Sequence, residues 1–394
     1  MAAEETGILQ EAYPMKEGED REMATEETGI LQEAYPMKGG DGHYSYAKNS
    51  THQRKATDFA KELIKAAIAE KLDKEILLCS KTFRIADLGC SVGPNSFFAV
   101  QNIVEAVESK YQHCQGLNSQ IPDFQVFFSD HTANDFNLLF TSLPNDRRYY
   151  AAGVPGSFHG RLFPKDSLHF VHSSYAVHWL SGVPMEVVNK KSRAWNKGRI
   201  HYSSSGDEVF LAYKAQFDKD IEQFLQARAQ EIVYGGLMAL IVPGIPNGTH
   251  HSQNGSSMNF ELLGSCLMDL ARKGMVSEEK VDSFNIPTYQ LSPQELEGAV
   301  ERNGCFSIEE MEDLHVPVPS HSGEYKINGQ VAASHLRAVM EGIIKQHFDE
   351  KILDVLFDCY RKKFDEIDFS IFKSGKVNNF FFLLKRKATN QATG

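Results

Sequence analysis

Cysteine is scarce in this chain and unpaired. Its six copies among 394 residues, at 79, 90, 114, 266, 305 and 359, form no CxxC and no paired spacing. That argues against a thiolate zinc site and a disulfide framework, and it fits a reduced, cytoplasmic compartment. Long hydrophobic runs are missing too. None reaches the ~18 residues of a spanning helix, so no membrane partner is expected. The first residues, MAAEETGILQEAYP, are acidic and mixed rather than basic and then apolar, so no secretory leader is expected. Basic charge is in the minority: 41 Lys and Arg stand against 52 Asp and Glu, a net charge of -11. Sequence-independent binding to nucleic acid needs the opposite balance. No GxSxG elbow and no HExxH pair occurs, which leaves serine-nucleophile and zinc-hydrolase chemistry without visible apparatus.

What is present is globular. Hydrophobic residues make up 42% and charged residues 24%, enough for a large core. The length suits one domain of about 250 residues plus an appended region. EETGILQEAYPMK occurs twice, at 4–16 and 26–38. Two copies cannot stack a core, so the repeat reads as a duplication. The first copy runs into the solvated EGEDRE, and residues 1–36 are expected to form a disordered segment. The second runs into KGGDGHYSYAKNS, which looks structured.

Apolar residues at 59, 63, 64, 67, 68 and 72 predict a helix over 51–72. FRIADL then predicts a buried strand ending in a glycine turn, with a helix over 95–110. FQVFFSD (124–130) predicts a second strand, NDFNLLF a short helix, and YYAAGVPGSF and SLHFVHSSYAVHWLS two more strands. A helix over 208–232 places Phe210, Tyr213, Phe217, Ile221 and Phe224 on one face, and GGLMALIVPG (235–244) is a further strand. Strands alternating with helices predict an α/β fold with an open, mostly parallel sheet. Beyond 245, helices are predicted over 257–274, 292–303, 331–349 and 350–366, and a closing strand over 378–387. The expected organisation is an α/β core over 37–245, a mainly helical cap over 246–375, and a closing core strand within 376–388. The cap loops HSQNGSS and PVPSHSGEYKINGQ are where substrate-facing variation is expected.

DLGCSVGPN carries the strongest chemical signal. Gly89 and Gly93 let backbone approach a ligand, and the helix that follows offers free N–H groups. The spacing is GxxxG, not GxGxxG, and no phosphate-loop lysine follows. A nucleoside bearing a carboxylate, S-adenosylmethionine, fits better than a pyrophosphate. Asp130, closing FQVFFSD, stands where an acidic residue would hold ribose hydroxyls. The alternative is a tight strand–helix turn without a ligand. Asn134 reads as a helix N-cap. In VPGSFHGRLFP, Ser157 and Phe158 offer a hydroxyl and a stacking ring. Tyr175, His178 and Trp179 would share one face of a helical turn. His169 and His172, alternating with apolar residues, read as structural.

The ordered set SYAKNSTHQ, ADLGCSVGPN, VPGSFHGRLFP, HSSYAVHWLS, WNKGRIHY and DSFNIP resembles the plant SABATH methyltransferases over about 37–387. These make methyl esters of small carboxylic acids or N-methylate xanthines. The resemblance implies a Rossmann-like class I methyltransferase sheet with a mainly helical cap, and a homodimer is expected. It implies S-adenosyl-L-methionine held by Tyr46, Cys90, Asn95, Asp130, His131, Ser157, Phe158 and Ser174. The substrate pocket is implied at Gln53, Tyr175, His178 and Trp179, with Gln53 and Trp179 aligning a carboxylate. A magnesium site is implied at Asn196, Asp282, the Phe284 carbonyl and Asn285; a hydrogen-bonded cluster of the same residues is the alternative. The departures are His131, where leucine is common in the family, and Ser129, where asparagine is common. A carboxylic acid with pKa near ~4 is ionised at neutral pH and attacks a sulfonium methyl without a base. The expected activity is methyl esterification of loganic or another terpenoid acid, salicylate, jasmonate or a similar acid. Xanthine N-methylation and a catalytically silent binding relative are the alternatives.

Overall fold

The computed structural model describes residues 36–115, 121–253, 257–315, 328–367 and 378–388. The disorder expected over the N-terminal segment falls almost wholly outside these residues, as do parts of the two cap loops. Seven strands form one sheet: β1 (Thr82–Leu88), β2 (Asp123–Asp130), β3 (Tyr150–Pro155), β4 (Leu168–Ser174), β5 (Ile232–Gly244), β6 (Phe306–Leu314) and β7 (Asn378–Arg386). Their order is β3-β2-β1-β4-β5-β7-β6. β1 to β5 run parallel, and β7 pairs antiparallel with both β5 and β6. This is the Rossmann-like α/β sheet that the alternating pattern predicts.

The inner strands are apolar on both faces because helices cover both. Ile85, Val126, Phe170, Leu237 and Phe381 belong to one buried layer, together with Ile64 of helix Thr51–Lys71 and Val100 of helix Pro94–Gln115. Their strand neighbours Ala86, Val171, Met238 and Phe382 belong to the other, with Tyr213, Phe217, Ile221 and Phe224 of helix Asp207–Glu231. A third cluster joins helices Ser257–Arg272, Gly329–Phe348 and Leu353–Asp365 around Leu267, Ile344 and Leu356, within the segment expected to form the cap.

Four expectations are corrected. Helix Thr51–Lys71 buries Gln53, Ala56, Thr57, Ala60, Ile64, Ala67 and Ile68, whereas Phe59, expected on the buried stripe, is exposed. The small residues let this helix lie close to its neighbour, and a phenylalanine does not fit that seam. The 246–375 segment gives a strand to the sheet, β6, and the helix Pro293–Asn303 packs its Leu296, Ala299 and Val300 into the sheet's core. The residue capping helix Phe136–Thr141 is Asp135, which accepts the Leu138 N–H at 3.0 Å, not Asn134. Asn134 turns inward and donates to the Ser91 carbonyl at 3.1 Å. Finally, Tyr175 to Trp179 form no helical turn: Tyr175 is left-handed at φ 55°, and a tight turn follows in which Trp179 N–H donates to the Ala176 carbonyl at 2.9 Å.

Candidate active site

The strand order reverses between β1 and β4, and α/β proteins bind ligands beyond the carboxyl ends at such a switch point. Here the β1 end continues as Gly89, Cys90, Ser91, Val92 and Gly93 into helix Pro94–Gln115. Gly89 and Gly93 have φ of 76° and 107°, which side-chain-bearing residues avoid. A Cβ on Gly89 would stand 2.2 Å from the Ala176 Cβ, and one on Gly93 2.8 Å from the Ala47 Cβ. The turn is therefore squeezed between the loop leaving β4 and the short helix Tyr46–Asn49.

A narrow cleft opens against this turn. Tyr46, Gln53, Cys90, Asn95 and Ser174, five of the expected site residues, line it together with Thr57, Asp87, Ser96 and His172. A larger opening of about 470 Å³ lies at the amino ends of β2 and β3, lined by Arg147, Arg148 and Glu108. It is at the wrong end of the sheet for an α/β ligand, so the smaller cleft is the candidate.

Asp130 ends β2 beside the turn. Its Oδ2 accepts the Ser91 N–H at 2.7 Å and its Oδ1 the His131 N–H at 2.8 Å. Burial raises its pKa, and the two backbone donors oppose that. The carboxylate thus holds the turn and retains lone pairs for a further donor. Asn95 donates to the Ser50 carbonyl and hydroxyl at 3.2 and 2.9 Å, which ties the turn to the start of helix Thr51–Lys71. Ser157 and Phe158 follow β3, and the Phe158 ring lies near the turn, 3.8 Å from a Cβ on Gly89. Burial pushes the Tyr46 hydroxyl and the Cys90 thiol up, with Asp130 and Asp87 adding to both shifts.

Gln53 is buried, and its Oε1 has no hydrogen-bond partner. Tyr175 N–H donates to the Ile241 carbonyl at 2.8 Å, and its hydroxyl donates to Asn379 Oδ1. Its ring stands edge-on to those of His52 and His178, at 5.9 and 6.4 Å. His178 is held neutral by burial, its pKa lowered to about 3, and its Nδ1 lacks a partner. Trp179 packs against the cap cluster and bridges to Thr288.

Sequence reasoning passed over Asp87 as a site residue and read His172 as structural. The two are register partners on β1 and β4. Asp87 Oδ1 and His172 Nδ1 lie 2.7 Å apart, both buried, and Asp87 Oδ2 and His172 Nε2 have no partner. A buried acid inside RIADLG, two residues before the glycine turn, was the available signal. His169, by contrast, is structural: it accepts the Arg84 N–H at 2.9 Å and bonds Ser80 at 3.0 Å. These unpartnered buried atoms and the Cβ-free cradle fit a polar ligand lying over the β1 turn.

The four residues of the implied magnesium site do come together. Asn196 Nδ2 donates to Asn285 Oδ1 at 2.7 Å, Asn196 Oδ1 accepts the Ser205 hydroxyl at 2.5 Å, and Asp282 Oδ1 accepts the Gly198 N–H at 2.8 Å. The cluster is thus held together by its own hydrogen bonds, and its amide and carboxylate oxygens keep lone pairs of the kind a hard cation takes. Elsewhere Asp207, His250 and His251 approach one another, but His251 Nε2 faces the Ser205 carbonyl at 3.2 Å and His250 Nδ1 faces Ser252 at 2.8 Å.

The family model described as SAM dependent carboxyl methyltransferase matches residues 32–387. Loganic acid O-methyltransferase of Catharanthus roseus is 50% identical over 353 residues, 88% of this chain and 93% of the relative. Farnesoic acid carboxyl-O-methyltransferase of Arabidopsis thaliana is 39% identical, over 88% of this chain and 97% of the relative. The solved structure of loganic acid methyltransferase with SAH superposes with a TM-score of 0.85 at 48% identity, covering 90% of this chain and 100% of that one. The cradle at the switch point, the acid at the β2 end and the match over nearly every described element lead to one statement: this chain belongs to the S-adenosylmethionine-dependent carboxyl methyltransferases, the SABATH family.

Proposed function

We propose that the carboxylic acid esterified by this enzyme is loganic acid or a related terpenoid acid, and that Gln53 and Trp179 align it. The similarity to loganic acid O-methyltransferase supports the substrate. One observation carries the mechanism: the histidines packed against Tyr175, His52 and His178, are pushed by burial down to about 4 and 3, so neither serves as a base at neutral pH, and His172 lies with Asp87 among the residues assigned to the cofactor. A carboxylate needs none, since it is already ionised.

S-adenosylmethionine, when bound, supplies an electrophilic methyl on a positive sulfur. The residues assigned to hold it are Tyr46, Cys90, Asn95 and Ser174 along the cleft, Asp130 and His131 at the ribose, and Ser157 and Phe158 at the adenine. The N–H groups of the Gln53 amide and the Trp179 indole each donate to the substrate carboxylate and fix which lone pair faces the methyl. Tyr175 and His178 form the wall behind it. Holding reactants ~3–3.5 Å apart and in line supplies several kcal/mol without acid–base chemistry. Asp87 adds a negative charge beneath the turn, favourable to a cation above it.

No step passes through a metal. The Asn196–Asn285 cluster is read as a brace between the 196–205 and 282–288 segments, so chelator dialysis leaves kcat unchanged. A homodimer in the cytoplasm completes the reading, and light scattering gives the mass.

The test is methyl transfer from labelled S-adenosylmethionine to a panel of loganic, farnesoic, salicylic and jasmonic acids, read as kcat/KM. Xanthines form a further arm, because 3,7-dimethylxanthine N-methyltransferase of Camellia sinensis var. assamica is 38% identical over 81% of this chain and 88% of that relative. The loganic arm is expected to lead. Transfer to xanthine nitrogen, or to none of the acids, defeats the proposal.

A further inference from the structure

Helix Asp207–Glu231 carries three buried charged side chains, Asp220, Arg228 and Glu231, for which the chemistry above has no use. A buried charge persists where an opposite charge and hydrogen bonds replace its water. Arg228 and Glu231 are fully buried, one helical turn apart, with Nε donating to Oε2 at 2.7 Å. Their outward bonds are the informative ones. Arg228 donates from Nη1 to the Phe158 carbonyl at 2.7 Å and from Nη2 to the Gly160 carbonyl at 2.8 Å. Glu231 Oε1 accepts the Leu162 N–H at 2.6 Å and the Phe163 N–H at 3.0 Å. Four backbone groups of one loop, the loop leaving β3, are thus satisfied by a single ion pair. The loop's own bonds are longer: Gly160 N–H to the Ser157 carbonyl at 3.2 Å and His159 N–H to the Ser157 hydroxyl at 3.4 Å.

We propose that Arg228 and Glu231 are positioning residues that preset the 157–163 loop, and with it Ser157 and Phe158, in the shape that receives adenine before the cofactor arrives. The inference rests on the adenine role assigned to those two residues above. The same helix provides an internal control. Asp220, eight residues before Arg228 and about 12 Å away along the helix axis, accepts the Ser181 N–H at 2.8 Å and the Ser181 hydroxyl at 2.7 Å. Ser181 lies two residues beyond Trp179, on the acid side of the site. One helix therefore holds the cofactor loop and the substrate loop by different buried charges, and the two grips meet at His159, a residue of the 157–163 loop that faces Asp220 and the Trp179 backbone.

The test compares Arg228→Lys, Glu231→Gln and Asp220→Asn. It reads S-adenosylhomocysteine affinity by calorimetry, KM for the methylated acid, and the preference for S-adenosylhomocysteine over S-inosylhomocysteine, which differs only at the adenine edge. The first two variants are expected to weaken S-adenosylhomocysteine roughly tenfold or more, as misplaced contacts do. They should also erase the adenine preference while the acid KM stays within about twofold, because Ser181 is held by Asp220 and not by the clamp. Asp220→Asn is expected to raise the acid KM more than it weakens S-adenosylhomocysteine, the smaller loss passing through His159. Equal losses in every readout for all three variants would mean general loosening and would overturn the proposal. Should the clamp variants fail to fold, hydrogen exchange on the wild-type enzyme decides. The Leu162 and Phe163 amides are expected to be protected without any cofactor. Fast exchange that slows only with S-adenosylhomocysteine means the cofactor orders the loop, and the proposal fails. Ser157→Ala and Phe158→Leu separate the two layers. If both leave S-adenosylhomocysteine affinity unchanged, the adenine assignment falls and takes the inference with it. If both weaken it while the clamp variants do not, the inference alone falls.

Discussion

Gln53→Glu is the substitution that most sharply divides alignment from acid–base catalysis. The wild-type amide, on this reading, donates one hydrogen bond to a charged oxygen. Gln53→Ala removes it and should lower kcat/KM by ~1.5–3 kcal/mol, about 10- to 150-fold. Gln53→Glu removes the same bond and adds a like charge. At ~4 Å and an effective dielectric of ~20, that repulsion is worth about 4 kcal/mol, or roughly another 1,000-fold. The introduced carboxyl shares its cleft wall with Asp87, which has one oxygen unpartnered, and burial, with the charges of Asp130 and Asp87 added, already pushes Tyr46 up. Burial and like charge both raise a carboxyl's pKa. The new group should therefore take up a proton well above the ~4.3 of an ordinary glutamate. Once protonated it is neutral and offers an O–H donor. The sign follows: the variant's activity rises as pH falls from 8.5 towards 6, while the acid substrate stays ionised. The wild type, with His178 lowered to about 3 and neutral throughout, should keep a flat kcat from about pH 6.5 to 8.5. Labelled methyl transfer across that range, with saturating cofactor, reads both curves. Two results refute the reasoning. One is a Gln53→Glu profile parallel to that of Gln53→Ala. The other is a wild-type acid limb near pH 6.5 that His178→Asn abolishes.

Asp130→Ala removes an acceptor of the Ser91 and His131 N–H groups as well as the assigned ribose ligand. Calorimetry should show S-adenosylhomocysteine binding weakened about 10- to 100-fold, with a lower melting temperature besides; unchanged affinity places the ribose elsewhere. Gly89→Ala sets a Cβ 2.2 Å from the Ala176 Cβ at a φ of 76°. Thermal unfolding should show a loss of more than ~2 kcal/mol from overpacking and left-handed strain together, and a neutral result would mean that the loop after β4 yields. Acid should destabilise the whole fold. Burial lowers His178 and His201 to about 3 and His52 and His169 to about 4, so the unfolded chain binds protons that the folded one refuses. The stability involved is present above pH ~6.5 and is lost as pH falls below it, about 2 kcal/mol per histidine at pH 5. Four such groups are comparable to the 5–15 kcal/mol of a typical domain. Denaturant midpoints that stay level between pH 7 and pH 5 would contradict these assignments.

The parts of the fold legible in sequence are those whose burial writes an uninterrupted pattern. FRIADL, FQVFFSD, HFVHSS, GGLMALIVPG and NNFFFLLKR lie inside the sheet and carry apolar residues on both faces, so their strands stand out. β6 does not, because FSIEEMEDL is an edge strand. An edge gains from charges that discourage a further strand from pairing with it, and those same glutamates mimic a helix or a loop in a one-dimensional reading. Phe59 shows the opposite error, since a large side chain at helical spacing counts as core even where alanines form the actual seam.

The candidate site divides along the same line. Gly89, Gly93 and Asp130 are local: a turn and a strand end, each meaningful within a few residues. Asp87 and His172 are neighbours only through parallel register across 85 residues, and neither is conspicuous alone. Arg228 and Glu231 are close in sequence and still misleading. At i and i+3 on a long helix they look like an ordinary solvent-exposed ion pair, worth little. Their relative exposure is 0% because the 158–163 backbone lies across them, and that backbone comes from an element about 70 residues earlier. What a charged pair does is therefore set by which backbone groups lack partners nearby, a quantity that exists only once the strands are ordered. On the proposed reading the motif residues mark where the ligand lies, and the buried ions behind them set how precisely the loop waits for it.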